Sequence, residues 1–321
     1  MSDELGVFLD CGSLDRGDLD LNALKATLPR WHLHSVSHPD SISARIAGAT
    51  IVISNKARLE ELMLRAAPGL RLICVAATGT NNVDLDAARA LGIAVCNVRG
   101  YATASVVQHV LTLILTLSTN LLEFHQSIRE GGWQKCPHFC MLDYPIRELA
   151  GKTIGIVGYG ALGRGVAQAA RDGLGMQVLV AQRKGTPSES NRVPLDKLLP
   201  QVDVLSLHCP LTPETRGLIG AAELALMKPD ALIVNTARGG IVDEIALIDA
   251  LKAGRLGGAG IDVLTTEPPV HGHLLLDGTI PNLIVTPHIA WTARESRQRL
   301  VDEMVENIRA FFAGTPRNRV D

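Results

Sequence analysis

The sequence predicts an α/β protein of two doubly wound, parallel-sheet domains with a cleft between them. Three observations lead there. Short, almost wholly apolar runs alternate with helical segments along the whole chain, as parallel strands covered on both faces do. The 321 residues are enough for about two domains with sizeable cores. A strand, a glycine-rich turn and a helix around residues 153–170 mark the start of a dinucleotide-binding unit.

Taken in order, strands are expected at Gly6–Asp10, Ala49–Ser54, Leu70–Val75 and Ile93–Cys96, with helices at Leu19–Leu28 and Arg58–Ala67 between them. A long helical run follows from Ser105 to Ile128, with an apolar face at Val106, Val110, Leu113 and Leu117. Residues 131–149 read as irregular yet carry Trp133, Phe139 and Tyr144, which need a surface to pack on, either a partner subunit or the adjoining domain. From Lys152 the pattern restarts, with strands at 154–157, 177–181, 202–208, 231–235, 260–263 and 283–286. That is the strand count of a full dinucleotide-binding fold. An amphipathic helix over 294–313 closes the chain and is expected to return to the first domain. The expected division is residues 1–98 plus 292–321 for the substrate (catalytic) domain, and 99–291 for the dinucleotide-binding domain with a dimerisation arm at about 100–150.

The turn Gly158-Tyr159-Gly160-Ala161-Leu162-Gly163 carries the first functional signal. Gly158 permits the tight turn, Gly160 lets the backbone approach a pyrophosphate, and Gly163 lets helix and strand pack closely. The pyrophosphate then sits on the positive N-terminus of the following helix.

Bulk properties exclude several classes. A net charge of −2 gives no electrostatic case for nucleic acid or an anionic membrane. The longest apolar run, Val110–Leu117, is too short to span a bilayer and is broken by Thr112 and Thr116. The start, Met1-Ser2-Asp3-Glu4, lacks a signal-peptide pattern. Six scattered cysteines in mostly apolar contexts suggest reduced thiols and a cytoplasmic location. Cys136, His138 and Cys140 are close in sequence but lack a second ligand pair, so no metal is expected. His32, His34 and His38 lie in a polar stretch and read as surface residues.

Three ionisable residues follow buried strands: Arg238 after Ala231–Ala237, Glu267 after Gly260–Thr266, and His288 after Leu283–Pro287. In open α/β sheets the carboxyl ends of strands form the binding crevice. The residue types suit hydride transfer between a 2-hydroxy acid and a 2-keto acid. Arg238 offers a planar fork for a substrate carboxylate. His288 can pass a proton to and from the carbonyl oxygen near neutral pH. Glu267 can orient the imidazole and favour its charged form.

The same residues carry a resemblance. Gly155–Gly163, His208-Cys-Pro-Leu-Thr-Pro-Glu-Thr-Arg-Gly217, Val234–Gly240, Gly260–Val263 with Glu267-Pro268, and Thr286-Pro-His-Ile-Ala-Trp291 resemble, in order, the D-2-hydroxyacid dehydrogenase family. Ile289–Trp291 and Gly100–Thr103 resemble its glycerate dehydrogenase (hydroxypyruvate reductase) branch. The resemblance implies Arg238 for substrate, Glu267 and His288 as the acid/base pair, and further substrate contacts from Asn55, Thr78, Gly79 and Trp291. It places Asp262 at the nicotinamide carboxamide, and adds Tyr159, Ala161, Leu162, His208, Cys209, Pro210, Thr215, Thr236, Ala237, His288, Ala290 and Ser105 to the cofactor site. It also implies a homodimer joined through residues 100–150.

One position departs from the NAD-specific pattern. Where Asp or Glu would meet the ribose 2′-hydroxyl, this chain has Gln182, followed by Arg183, Lys184 and Thr186. A missing carboxylate removes repulsion against a 2′-phosphate, and Arg183 can pair with one. NADP(H) is therefore favoured over NAD(H). The alternative to an enzyme is a nucleotide-sensing, corepressor-like binding protein on the same scaffold. The absence of long flanking tails speaks against it.

Overall fold

The computed structural model describes residues 4–183, 185, 191–315 and 317–321. The chain folds into two compact units, Met1–Ala102 with Trp291–Asp321, and Thr103–Ala290.

The first unit contains β1 (Leu5–Phe8), α1 (Asn22–Lys25), β2 (Arg30–Leu33), α2 (Pro39–Ile46), β3 (Ile51–Ser54), α3 (Glu61–Arg65), β4 (Leu72–Val75), α4 (Leu85–Ala90) and β5 (Ala94–Cys96). The strands form one parallel sheet in the order β2-β1-β3-β4-β5. Successive side chains feed opposite faces. Ile51, Ile53, Leu72, Cys74 and Cys96 meet Leu300, Met304 and Ile308 of the C-terminal helix Arg294–Phe312. Val52, Ile73, Val75 and Val95 meet Ile42, Ile46, Leu64 and Ala88 of α2, α3 and α4. Residues 99–102 and Trp291 go with this unit, a few residues from the boundaries expected above. Tyr101 explains this: its ring stands edge-to-face on Trp291 at 6.3 Å, and its carbonyl accepts from Ser296 Oγ (3.2 Å) and Arg299 Nε (2.9 Å).

Two local features differ from expectation. β2 is an edge strand whose exposed Arg30 and His32 alternate with half-buried Trp31 and Leu33, so it lacks the continuous apolar signature of its neighbours. His34, next to it, is half-buried rather than a surface residue, and burial pushes its imidazole pKa down. The helix expected from Leu19 is confined to Asn22–Lys25, because the Asp15 carboxylate accepts from the N–H groups of Gly17, Asp18 and Leu19 and holds them as a loop.

The second unit contains α5 (Thr103–Thr119), α6 (Leu121–Arg129), α7 (Gly132–Lys135), β6 (Thr153–Val157), α8 (Ala161–Leu174), β7 (Gln177–Val180), α9 (Leu195–Leu198), β8 (Val204–Leu207), α10 (Ala221–Leu226), β9 (Leu232–Asn235), α11 (Glu244–Lys252), β10 (Gly258–Ile261) and β11 (Leu283–Val285). Its sheet is parallel, in the order β11-β10-β9-β8-β6-β7. Leu205, Leu207, Ile233 and Ile261 pack against Leu224 of α10 and Leu247 and Leu251 of α11. α5 packs on α8, β9 and β10. The single helix expected over 105–128 is two helices, broken at Asn120 (φ 47°) and bent by 60°. Among the described residues no single helix is long and apolar enough to cross a membrane.

Candidate active site

β6 delivers the chain into the glycine turn. Gly158 is left-handed (φ 92°), and a Cβ there would lie 2.5 Å from the Cys209 nitrogen. A Cβ on Gly163 would lie 2.0 Å from the Gly158 carbonyl oxygen, so only glycine lets α8 close on the strand. Gly160, by contrast, faces open space at the start of α8. Tyr159, between the two turn glycines, has the Arg192 guanidinium 5.1 Å from its ring centroid. Arg192 comes there because Ala181 bridges to Val193 and the Gln182 N–H donates to the Val193 carbonyl (2.8 Å). Gln182 and Arg183 stand at this strand end, while Lys184 and Thr186 lie outside the described residues. Across the turn, Thr215 Oγ1 donates to the Pro210 carbonyl (2.7 Å) and accepts from the Thr212 N–H (2.7 Å), fixing the loop that follows His208 and Cys209. Burial raises the Cys209 thiol pKa.

The ends of β9, β10 and β11 carry the ionisable residues. Buried Asn235 shapes the first end: its Oδ1 accepts from the Ala237 N–H (3.0 Å) and its Nδ2 donates to the Arg238 carbonyl (2.9 Å). That turn presents the exposed Arg238. The next residue, Gly239, lies so close to the loop after β10 that a Cβ would be 2.0 Å from the Leu264 oxygen. The Leu264 N–H in turn donates to Glu267 Oε1 (2.8 Å), and Glu267 Oε2 meets His288 Nδ1 at 2.6 Å. Glu267 and His288 are thus in direct contact, and the turn that carries Arg238 packs, through Gly239, against the same loop after β10.

His288 occupies a left-handed conformation (φ 55°) that a histidine adopts only when its surroundings hold it. Asp262 does so. Its carbonyl accepts from the His288 N–H (2.9 Å), and its carboxylate, 1% exposed, accepts from Ile289 N (2.8 Å) and Ala290 N (3.0 Å). Thr286 Oγ1 donates to the same carboxylate (2.5 Å), and Ser105 Oγ donates to the Ala290 carbonyl (2.7 Å). Ser105 and Asp262 therefore brace the turn that carries His288.

Asn55, Thr78 and Gly79 belong to the first unit, past the carboxyl ends of β3 and β4, as does Trp291. Asp10 accepts from the N–H groups of Asn55 (2.9 Å), Lys56 (2.6 Å) and Ala57 (3.0 Å), and Asn55 Nδ2 donates to Ser13 Oγ (2.9 Å). Thr78 Oγ1 donates to the Val98 carbonyl (2.8 Å), and the Thr78 carbonyl accepts from Asn97 Nδ2 (2.7 Å).

Comparison with known proteins decides what this arrangement belongs to. Residues 111–290 match the pattern of the D-isomer specific 2-hydroxyacid dehydrogenase, NAD binding domain. A glycerate dehydrogenase of Methylorubrum extorquens is 46% identical over 310 residues, 96% of this chain and 98% of its own. The chain belongs to the D-isomer specific 2-hydroxyacid dehydrogenase family. A hydroxypyruvate reductase of Blautia hydrogenotrophica is 39% identical over 98% of this chain and 99% of its own. Among solved structures, an NADPH-dependent glyoxylate/hydroxypyruvate reductase of Sinorhizobium meliloti, in complex with NADP and malonate, superposes with a TM-score of 0.81 at 26% identity, covering 99% of this chain and 97% of its own.

This D-2-hydroxyacid dehydrogenase is an oxidoreductase that uses a nicotinamide cofactor. Its own residues fit that group. The glycine cradle leaves room for a pyrophosphate on α8. Two polar atoms one residue past the paired Leu207 and Asn235, His208 Nδ1 and Thr236 Oγ1, are buried without a partner among the described residues. Such atoms cost stability unless something else bonds to them. Beyond the residues given a role from sequence, Asn235, Arg192, Asp10, Thr286 and His109 bond to or pack against residues of the candidate site. Asn235 and Thr286 lie inside the family-like segments without a role of their own, and His109 could have been noticed as a polar residue beside the apolar face of a helical run.

Proposed function

We propose that the enzyme reduces small 2-keto acids, with hydroxypyruvate or glyoxylate among the better substrates, giving D-glycerate or glycolate. The observation that carries this is the 2.6 Å contact between Glu267 Oε2 and His288 Nδ1 at the sheet's carboxyl end. Glu267 accepts a hydrogen bond from His288 Nδ1–H, which orients the ring and leaves Nε2 for the substrate. Arg238 binds the substrate carboxylate through two parallel hydrogen bonds; the family resemblance also implies Asn55, Thr78, Gly79 and Trp291 for substrate. When bound, the reduced nicotinamide supplies a hydride to the keto carbon. His288 Nε2 gives its proton to the carbonyl oxygen, so hydride plus proton make the hydroxy acid, and the neutral imidazole is reprotonated from solvent. The names of the two relatives above support this choice of substrates.

NADPH is proposed as at least as good a donor as NADH. Gln182 places no negative charge at the strand end, and Arg183 and Arg192 stand beside it. A homodimer is proposed through the segment 100–150, where Leu121, Leu122, Trp133 and Ile146 are exposed and Phe139 and Leu142 are 91% and 88% exposed. A lone protomer would leave that apolar surface in water. All six cysteines are free, and Cys11, Cys74 and Cys96 are buried, which supports a reducing, cytoplasmic setting.

The test is a panel of hydroxypyruvate, glyoxylate, pyruvate and phenylpyruvate, each assayed with NADPH and NADH on a preparation whose mass is measured by sedimentation. The expected result is a dimer that oxidises NADPH fastest with the first two acids. Oxidation of neither cofactor with any acid would reject the proposal.

A further inference from the structure

We propose that His109 is a positioning residue for the proton-transfer step, acting through Thr286 and Asp262 on the turn that carries His288. This rests on the proposed role of His288.

His109 lies on α5, beside the buried apolar residues Val106, Val110, Leu113 and Ile114. Its side chain is only 15% exposed. A polar ring there costs free energy unless it is hydrogen-bonded, and a leucine would pack without that cost. Its Nε2 is 3.0 Å from Thr286 Oγ1 and 3.5 Å from Asp262 Oδ1. The direction of each bond follows from proton counting. A carboxylate oxygen only accepts, so the single Thr286 hydroxyl proton goes to Asp262 Oδ1 at 2.5 Å. Thr286 Oγ1 then accepts from His109, whose Nε2 must carry a proton.

The chain runs from the helix through Thr286 to the carboxylate that holds Ile289 and Ala290, and onward to the residue whose carbonyl holds the His288 N–H. α5 grips the same turn a second time through Ser105 and the Ala290 carbonyl (2.7 Å). The left-handed backbone at His288 is uncommon for a residue with a Cβ and is held by these bonds. His109 does not touch the reacting atoms. It fixes which way Thr286 points, and so where Asp262 sets the imidazole. A misplacement of about 1 Å at a reacting group can cost up to roughly 100-fold in rate.

The test uses the full-length enzyme and keto-acid reduction. His109→Phe keeps a planar ring and removes the donor; it should lower kcat by about 10-fold or more, with the KM for keto acid and the Kd for NADPH within about 2-fold of wild type. Thr286→Val removes the same link with little change of shape and should give the same loss. The double variant should be no slower than the worse single one, because both break one chain. His109→Gln, which restores an N–H, should recover most of the rate, and in a His288→Ala background His109→Phe should change nothing. If His109→Phe destabilises the fold, Thr286→Val carries the test alone, with the melting temperature as control. The inference is overturned if kcat stays at the wild-type value in both single variants, if their effects multiply, or if Gln is as slow as Phe. Should His288→Ala keep its turnover, it is the role of His288 that fails. If His288→Ala loses turnover while His109→Phe and Thr286→Val do not, only the positioning role fails.

Discussion

Gln182, Arg183 and Arg192 gather at the end of β7, and cofactor choice is proposed to be made there. An amide neither repels a 2′-phosphate nor binds ribose hydroxyls with the strength of a carboxylate. Arg183 is exposed, and it shares its surroundings with Glu214, whose carboxyl is held low mainly by the Thr212 hydroxyl and more weakly by the Arg183 charge. Gln182→Asp with Arg183→Ala should turn preference toward NADH, chiefly through lost NADPH affinity. Losing a charge-assisted hydrogen bond of about 1.5–3 kcal/mol corresponds to roughly 10- to 100-fold in Kd. Titration of each cofactor checks this, and an unchanged ratio would make the loop charges spectators. Gln182 and Arg183 were legible in the sequence because they directly follow an apolar strand. Arg192 was not, since only the pairing of Ala181 with Val193 returns it to Tyr159.

β8 illustrates how an element sets chemistry at its end. Its last turn outward is His208, whose Nε2 is 2.9 Å from Ser206 Oγ, while Nδ1 is buried without a partner among the described residues. Burial drives this imidazole from its ordinary 6.5 down to about 4. The unfolded chain therefore binds the extra proton between those values. The contribution to stability is complete above pH 6.5 and is lost as pH falls toward 4, by up to about 3 kcal/mol. His208→Asn should flatten the loss of melting temperature between pH 7 and 4.5 relative to wild type. Parallel curves for the two proteins would contradict the buried, neutral state. Most strands were legible because each is apolar through its length. β2 escaped because only alternate residues are even half-buried, and the break at Asn120 escaped because the apolar periodicity runs on through it.

At the scale of the whole chain, the turn that carries His288 lies close in sequence to a point where the chain changes unit. The chain enters the second unit at Thr103, the start of the helix that braces the His288 turn, and leaves at Ala290, two residues after His288. The strand order of the second sheet brings β9, β10 and β11 side by side, so that Arg238, Glu267 and His288, far apart in sequence, emerge from neighbouring strands. That is why these three were readable from the sequence alone: each follows an apolar run that could only be a strand. Asn235, Thr286 and Asp10 were not, because they act by bonding the backbone of the site and look, in one dimension, like ordinary polar residues near strand ends. His288, oriented by Glu267, is proposed to move the proton that accompanies hydride transfer. Turnover of the best keto acid by His288→Ala, measured beside its binding of NADPH, tests it most directly. The expected result is a loss of roughly 100- to 10,000-fold in kcat with cofactor binding intact. Turnover equal to wild type would contradict the account, because another group would then be supplying the proton.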